Sequence, residues 1–240
     1  MSVSVENSQK KSSEMDLRVA ARAWISKANV PVGLQQWINF HHNPILQMHS
    51  TRWDNTPPIW KTHILRSFYA HTYLAEHFRD YWHWEPGPWT AFRDPLMRLA
   101  ISSHQYLERL VTFAGALIAA EEIRKAVDGK TVRLLRENLG QEVLHFARLQ
   151  APQLNVSIPE KCRIKEWHAD RAIHLVSEAG WLLITCASAL LSTQEWRRFL
   201  SRVPKKIEET WNQYHFSEED FRLSWQCVLT LIRDMTKEKK

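Results

Sequence analysis

Apolar side chains recur along most of this chain at steps of three and four, the spacing that gathers them on one side of an α-helix. The clearest stretch runs from Tyr106 to Gln150, where Leu107, Leu110, Val111, Ala114, Leu117 and Ile118 share one helix face. Gly115 falls inside that run. Glycine there costs about 1 kcal/mol against alanine, so its position predicts close approach of a neighbouring backbone. Asp128-Gly129 marks a turn with Asp128 as helix N-cap, after which Val132, Leu135, Leu139, Val143 and Phe146 resume the helical step. Gly140 interrupts the second run: either the helix ends on a left-handed glycine cap and another begins at Gln141, or one helix bends. The cap is the reading adopted.

The same spacing organises the rest. Leu17, Ala20, Ala21, Trp24 and Ile25 define a helix from Asp16 to Ala28, closed by Pro31 and Gly33, and a loop-rich passage follows. Pro58 opens a helix carrying Trp60, Ile64, Leu65, Phe68, Tyr69 and Leu74, and Glu85-Pro86-Gly87-Pro88 ends that part of the chain. A proline-bounded connection, Pro152 to Pro159, leads to a long helix over 167–191. Ser192 with Glu195 forms a capping box for a short helix that Pro204 ends or kinks. Ser217 and Asp220 cap a C-terminal helix whose Phe221, Trp225, Val228, Ile232 and Met235 form a narrow stripe, fit to pack on the core or against a partner helix, with core packing the reading adopted. The expected architecture is all-α: a compact multi-helix domain with irregular tryptophan- and proline-rich connections. It divides into a disordered tail over 1–13, an N-terminal helical subdomain over 14–85, and a central and C-terminal helical block over 86–240, the last two packed as one domain.

Composition supports this. The 240 residues are 44% apolar, enough for a substantial core, and include only six glycines. The longest apolar run, Ala179 to Leu191, is too short for a membrane span of about 20 residues and reads as a buried core helix. The N-terminus lacks the apolar stretch of a secretory signal, which predicts a cytoplasmic protein. Cys162, Cys186 and Cys227 are too few for a disulfide framework and too scattered for a zinc knuckle, so reduced, buried thiols are expected. The net charge is +6. Arg197 to Lys206 holds five basic residues and no acid, which predicts a local positive potential.

Candidate chemistry is sparse. Glu142-x-x-His145 has the spacing with which a helix hands two ligands to a metal, but no second copy exists, and a surface or capping pair is expected. Asp80-x-x-His83 reads the same way. His41, His42 and His49 cluster in a proline-bounded loop, where His49 is expected to be a structural hydrogen bonder. Phosphate-cradling glycine loops, nucleophile elbows, Cys-x-x-Cys and zincin motifs are absent from the sequence. Twelve tryptophans, the basic balance and the basic run over 197–206 also suit single-stranded nucleic acid, which gives an alternative reading as a basic, tryptophan-rich helical nucleic-acid-binding protein.

Arg109, Gly115, Ile123-Arg124, Val127, Val132, Leu135, Gly140 and Phe146 together resemble the SctK family of type III secretion sorting-platform accessory proteins. The downstream block GWLLITCASALLSTQEWRRFLSRVP, with Trp196, Arg198, Arg202 and Pro204, is similar to that family too, as is the upstream FHHNPILQMH, with Phe40, Pro44 and His49. The resemblance implies a non-enzymatic adaptor without cofactor, at the cytoplasmic face of the bacterial inner membrane. It implies contact with the forkhead-associated-like cytosolic domain of an SctD-like ring protein and with an SctQ-like platform protein. Through the latter it reaches an SctL-like stator and the ATPase; nucleic acid has no part, and the membrane is met only peripherally through the ring protein. Arg109, Arg124, Trp196, Arg198 and Arg202 are the expected partner contacts, taken as exposed. Charge reversal at Arg198 and Arg202 is then expected to weaken binding with helicity unchanged. Arg124 has a second candidate role, bridging a carboxylate such as Glu121.

Overall fold

The computed structural model of the protein describes residues 32–42, 44–53, 67, 70, 73–74 and 94–237. The expected tail over 1–13, the helix over 16–28, the helix opened by Pro58, the Glu85–Pro88 boundary and Asp80-x-x-His83 lie outside these residues. Among the described residues the chain is all-α, with ten α-helices and no strand. In chain order they are α1 (Val32–His42), α2 (Pro95–Ile101), α3 (His104–Ile118), α4 (Ala120–Lys125), α5 (Gly129–Leu139), α6 (Gln141–His145), α7 (Ala172–Ser188), α8 (Thr193–Arg202), α9 (Lys205–Gln213) and α10 (Glu218–Lys237). A π-helical turn, Phe146–Gln150, continues α6.

Helix α7 is the axis of the fold. Every residue from Ala179 to Ser188 is buried, as a helix apolar all round requires, and it lies against α3 on one side and α10 on another. Two glycines set how closely α3 and α7 approach. A Cβ on Gly115 would overlap the Val176 carbonyl and sit 2.9 Å from Val176 Cγ1; one on Gly180 would overlap the Val111 carbonyl and sit 2.9 Å from the Gly115 nitrogen. The predicted approach at Gly115 is therefore observed, and Gly180 completes it from the opposite helix.

The punctuation follows the sequence. Asp128 caps α5 through Thr131 N at 2.8 Å. Gly140 has φ +82°, ends α5 and lets α6 begin at Gln141, so the glycine stop prevails over the bend. Ser192 and Glu195 form the capping box of α8, Pro204 separates α8 from α9, and Ser217 with Asp220 opens α10.

Three expectations need correction. The passage after Gly33 is helical: Trp37, Phe40 and His41 at steps of three and four bury one side of α1 against α2 and the core. The helix expected over 167–191 is shorter. His168 is extended and a 3-10 turn at Ala169–Arg171 precedes α7, while Leu190 and Leu191 coil back through Ala187 and Ser188 carbonyls, burying Leu191 and aiming Ser192 at the next helix. On α10 the core side is Ser224, Cys227, Val228, Leu231 and Met235, with Phe221, Trp225 and Ile232 half-buried beside it, so the stripe packs on the core but is rotated from the predicted one.

Candidate functional site

The last carbonyls of any helix lack intrahelical donors, and α8 obtains them from a segment about 150 residues earlier in the chain. Arg52 Nε donates to Val203 O at 3.1 Å and its Nη2 to Leu200 O at 2.7 Å, while Nη1 pairs with Glu208. The His49 amide donates to Ser201 O at 3.0 Å, and Lys205 N donates to Thr51 Oγ1 at 3.0 Å. A guanidinium at a helix C-terminus also opposes the helix dipole favourably. His49 fills the structural role expected of it: its Nδ1 accepts from Thr51 N at 3.3 Å and lies 3.0 Å from Thr51 Oγ1, and its ring stands edge-on to Trp181.

Arg198 and Arg202 are not exposed. Each is 1% accessible, the two largest fully buried side chains among the described residues. Arg202 donates to the carbonyls of Ala100 and, at 2.6 Å, Ser102, closing the C-terminal end of α2. Burial lowers its pKa to about 10, which leaves it charged at neutral pH. Arg198 Nη1 lies 2.6 Å from His41 Nδ1. Arginine only donates, so that nitrogen accepts and His41 is held in the tautomer protonated on Nε2. Reversing either charge would place a carboxylate in the core against acceptors. Unchanged helicity is therefore not the outcome the structure supports for that double variant, because both side chains are internal and not exposed as expected.

The basic run from Arg197 to Lys206 consequently projects no single positive patch. Two of its five cations are internal, Lys206 pairs with Glu178, and Lys205 lies 3.9 Å from Glu209. This removes one of the features that favoured nucleic acid.

The other three candidates reach the surface. Arg109 on α3 pairs with Glu142 on α6 and lies 5.5 Å from the centre of the Phe113 ring, which meets Phe146 edge-on. Glu142 is thus engaged by Arg109. Arg124 is exposed on α4 and does not bridge Glu121; Lys125 takes Glu121 at 3.2 Å and Glu122 at 2.8 Å. Trp196 is half-buried in a tier of rings, 5.3 Å from Trp211, which stacks on Phe216 at 4.3 Å and on Phe221 at 5.9 Å. Lys161 lies over Phe216 and binds Asp220 at 2.9 Å. Trp211 and Phe216 carry no signal in the sequence pattern, because they straddle the end of α9 and share no helical phase.

Cys162, Cys186 and Cys227 are buried, and Cys227 Sγ donates to Ser157 O at 3.2 Å. The neighbouring Cys186 thiol and burial push the Cys162 thiol up, and burial raises Cys227 to about 11, so both stay protonated at neutral pH. A mostly apolar cavity of about 610 Å³ between α1, α2, α3 and α10 is lined in part by Leu99, Ser102, Ser103, Tyr106 and Leu229. Its serines are spent on helix ends: Ser103 caps α3 and Ser102 donates to Leu99 O. Among the described residues no three His, Cys, Asp or Glu side chains converge to hold a metal.

The family model described as YOP proteins translocation protein K (YscK) matches residues 77–239, well over half of the chain. The chain belongs to the YscK family. It is therefore a type III secretion-related protein. No curated protein and no solved structure matches it. The YscK match takes in α2 to α10 and all five candidate residues, but begins after Phe40, Pro44 and His49, so the upstream block that resembles the family falls outside it. Among the described residues no helix is long and apolar enough to cross a membrane.

Proposed function

We propose that this YscK-family protein is a non-enzymatic adaptor at the cytoplasmic face of the inner membrane, joining an SctD-like ring protein to an SctQ-like platform protein, and through it to the SctL-like stator and the ATPase. The observation that carries the reading is the family match over the whole helical block. A rigid body suits such a task, since little ordering entropy is then lost on docking. The half-buried aromatic tier around Trp196, with Trp211 and Phe216, has the residue types that anchor interfaces, and Arg109 and Arg124 supply outward charge.

Pulldown of the ring protein's cytosolic domain and of the platform protein tests it. The wild-type chain is expected to retain both, with weaker capture by R109E, R124E and W196A variants whose circular dichroism shows them folded at the assay temperature. A folded wild-type chain that captures neither protein would end the adaptor reading.

A further inference from the structure

The cavity between α1, α2, α3 and α10 is walled by apolar side chains that the described residues do not fully cover. Leu229 and Ile232, three apart on α10, line it with Leu99 of α2 and Tyr106 of α3, and the first turn of α1 brings Gly33 and Gln36 to the same wall. Leu229, Ile232 and Tyr106 are each half-buried. Beside Gly33 there is room for another backbone, since no atom lies within 4 Å of where its Cβ would stand.

The chain enters the fold at this wall. Immediately before it, the helix expected over 16–28 carries Leu17, Ala20, Ala21, Trp24 and Ile25 on one side and Arg18 and Arg22 on the other, an apolar stripe that needs a partner. Only Asn29, Val30 and Pro31 separate that segment from α1. A link so short joins neighbouring antiparallel helices, and the five steps from Ala28 to Gly33 span at most about 18 Å. Antiparallel helices rise by equal steps, so a turn centred on Val30 sets Trp24 level with Gln36 and Ile25 level with Gln35. The bulkiest side chain of the stripe then stands at the cavity.

We infer that residues 16–28 fold back as an antiparallel partner of α1 and close this cavity, with Trp24 and Ile25 seated against Leu229 and Ile232. The inference is independent of the adaptor reading. Tethering selects this occupant: a short link holds the segment at an effective concentration of about a millimolar, which a free partner does not match. The chemistry of the wall agrees. Ser102 and Ser103 are already bonded at helix ends, which leaves Leu99, Leu229 and Ile232 to meet an apolar stripe.

Methyl NMR of the full wild-type chain, labelled at its leucine and isoleucine methyl groups, tests this. Nuclear Overhauser contacts are expected from the Trp24 indole to the Leu229 and Ile232 methyls, identified by their loss in W24L. In W24D/I25D those methyl signals should shift, and trypsin should cut after Arg22 at least about tenfold faster than in the wild type, as expected once a packed helix is released. No such contacts in the wild type, contacts from Trp24 to another surface, or unchanged signals and cleavage in a folded W24D/I25D overturn the inference. Contacts that appear only between chains, in a mixture of labelled and unlabelled protein, overturn it in favour of a second copy. Shifts at Leu229 and Ile232 on adding the platform protein to a wild-type chain that lacks the Trp24 contacts give the cavity to that partner instead, and leave the adaptor reading standing. The wild-type contacts decide the outcome even if W24D/I25D does not fold.

Discussion

Arg202 decides whether the cations of α8 are contacts or internal braces. Its guanidinium serves two carbonyls, of Ala100 and Ser102, in a site 1% accessible to solvent. Truncation in R202A leaves both acceptors unsatisfied at about 1–3 kcal/mol each and opens a void besides, which together come to about 3–5 kcal/mol. A domain of this kind stands only about 5–15 kcal/mol above its unfolded state, so the variant should be severely weakened. R202K keeps the charge but lacks the two-pronged geometry, and is expected to lose about half as much. R202E sets a carboxylate against two carbonyl oxygens and should not fold. R197E, on the exposed side of the same helix, should stay within about 0.5 kcal/mol of the wild type. Urea denaturation followed by circular dichroism gives all four values. An R202E protein that unfolds at the wild-type urea concentration would refute the internal brace and return Arg202 to the surface.

Other outcomes follow from the same geometry. G115A and G180A gain about 1 kcal/mol of helix propensity but force a methyl into the facing carbonyl; a net loss of about 1–3 kcal/mol is expected, and a raised melting temperature in either would count against the α3–α7 crossing. R52A removes two donors from the end of α8 and should cost about 1–3 kcal/mol by urea melts, with slower amide exchange at Val203 than in the wild type being the contrary result. Burial opposes ionisation of Asp220, but hydrogen bonds from Ser217 and Lys161 prevail and hold its pKa below the ordinary carboxylate value. Its contribution is thus complete above about pH 4 and is lost as pH falls through the lowered value, so the melting-temperature gap between wild type and D220N should close on acidification. A gap that widens there would contradict the sign. The charge swap R109E/E142R should recover the melting temperature lost in R109E if their pairing is intramolecular, and an unrecovered value would show that the pair adds nothing to the fold.

Helix phase and punctuation are readable in the sequence because they depend on near neighbours. Asp128, Gly140, Ser192 and Asp220 each act within three or four residues, and each lies where the sequence puts it. Gly115 is legible as an anomaly, a glycine inside an apolar helix face. Its counterpart Gly180 carries the same signal but is submerged in an apolar run. Helix α1 is hidden because Pro31 and Gly33 crowd the start of its eleven residues, and the packing of Trp37 and Phe40 on distant helices outweighs those breakers.

The five cations between Arg197 and Lys206 show why charge density alone misassigns a surface. Along a helix, residues four apart share a side, so Arg198 and Arg202 fall together, and Phe199, fully buried, lies beside them. Arg197 points about 100° away, toward solvent. The phase of Phe199 thus marks Arg198 and Arg202 as inward on spacing alone. What phase cannot supply is a reason for a cation to be inside. That reason is the set of unpaired carbonyls at the end of α2 and the imidazole of His41, 100 and 157 residues distant, which an arginine's long stem and forked donors can reach. An arginine beside a buried aromatic, at a step of four from another, should therefore be weighed first as a partner for loose helix ends. Those out of phase with the apolar side, such as Arg124 on α4, Arg109 on α3 and Arg197 on α8, reach the surface instead.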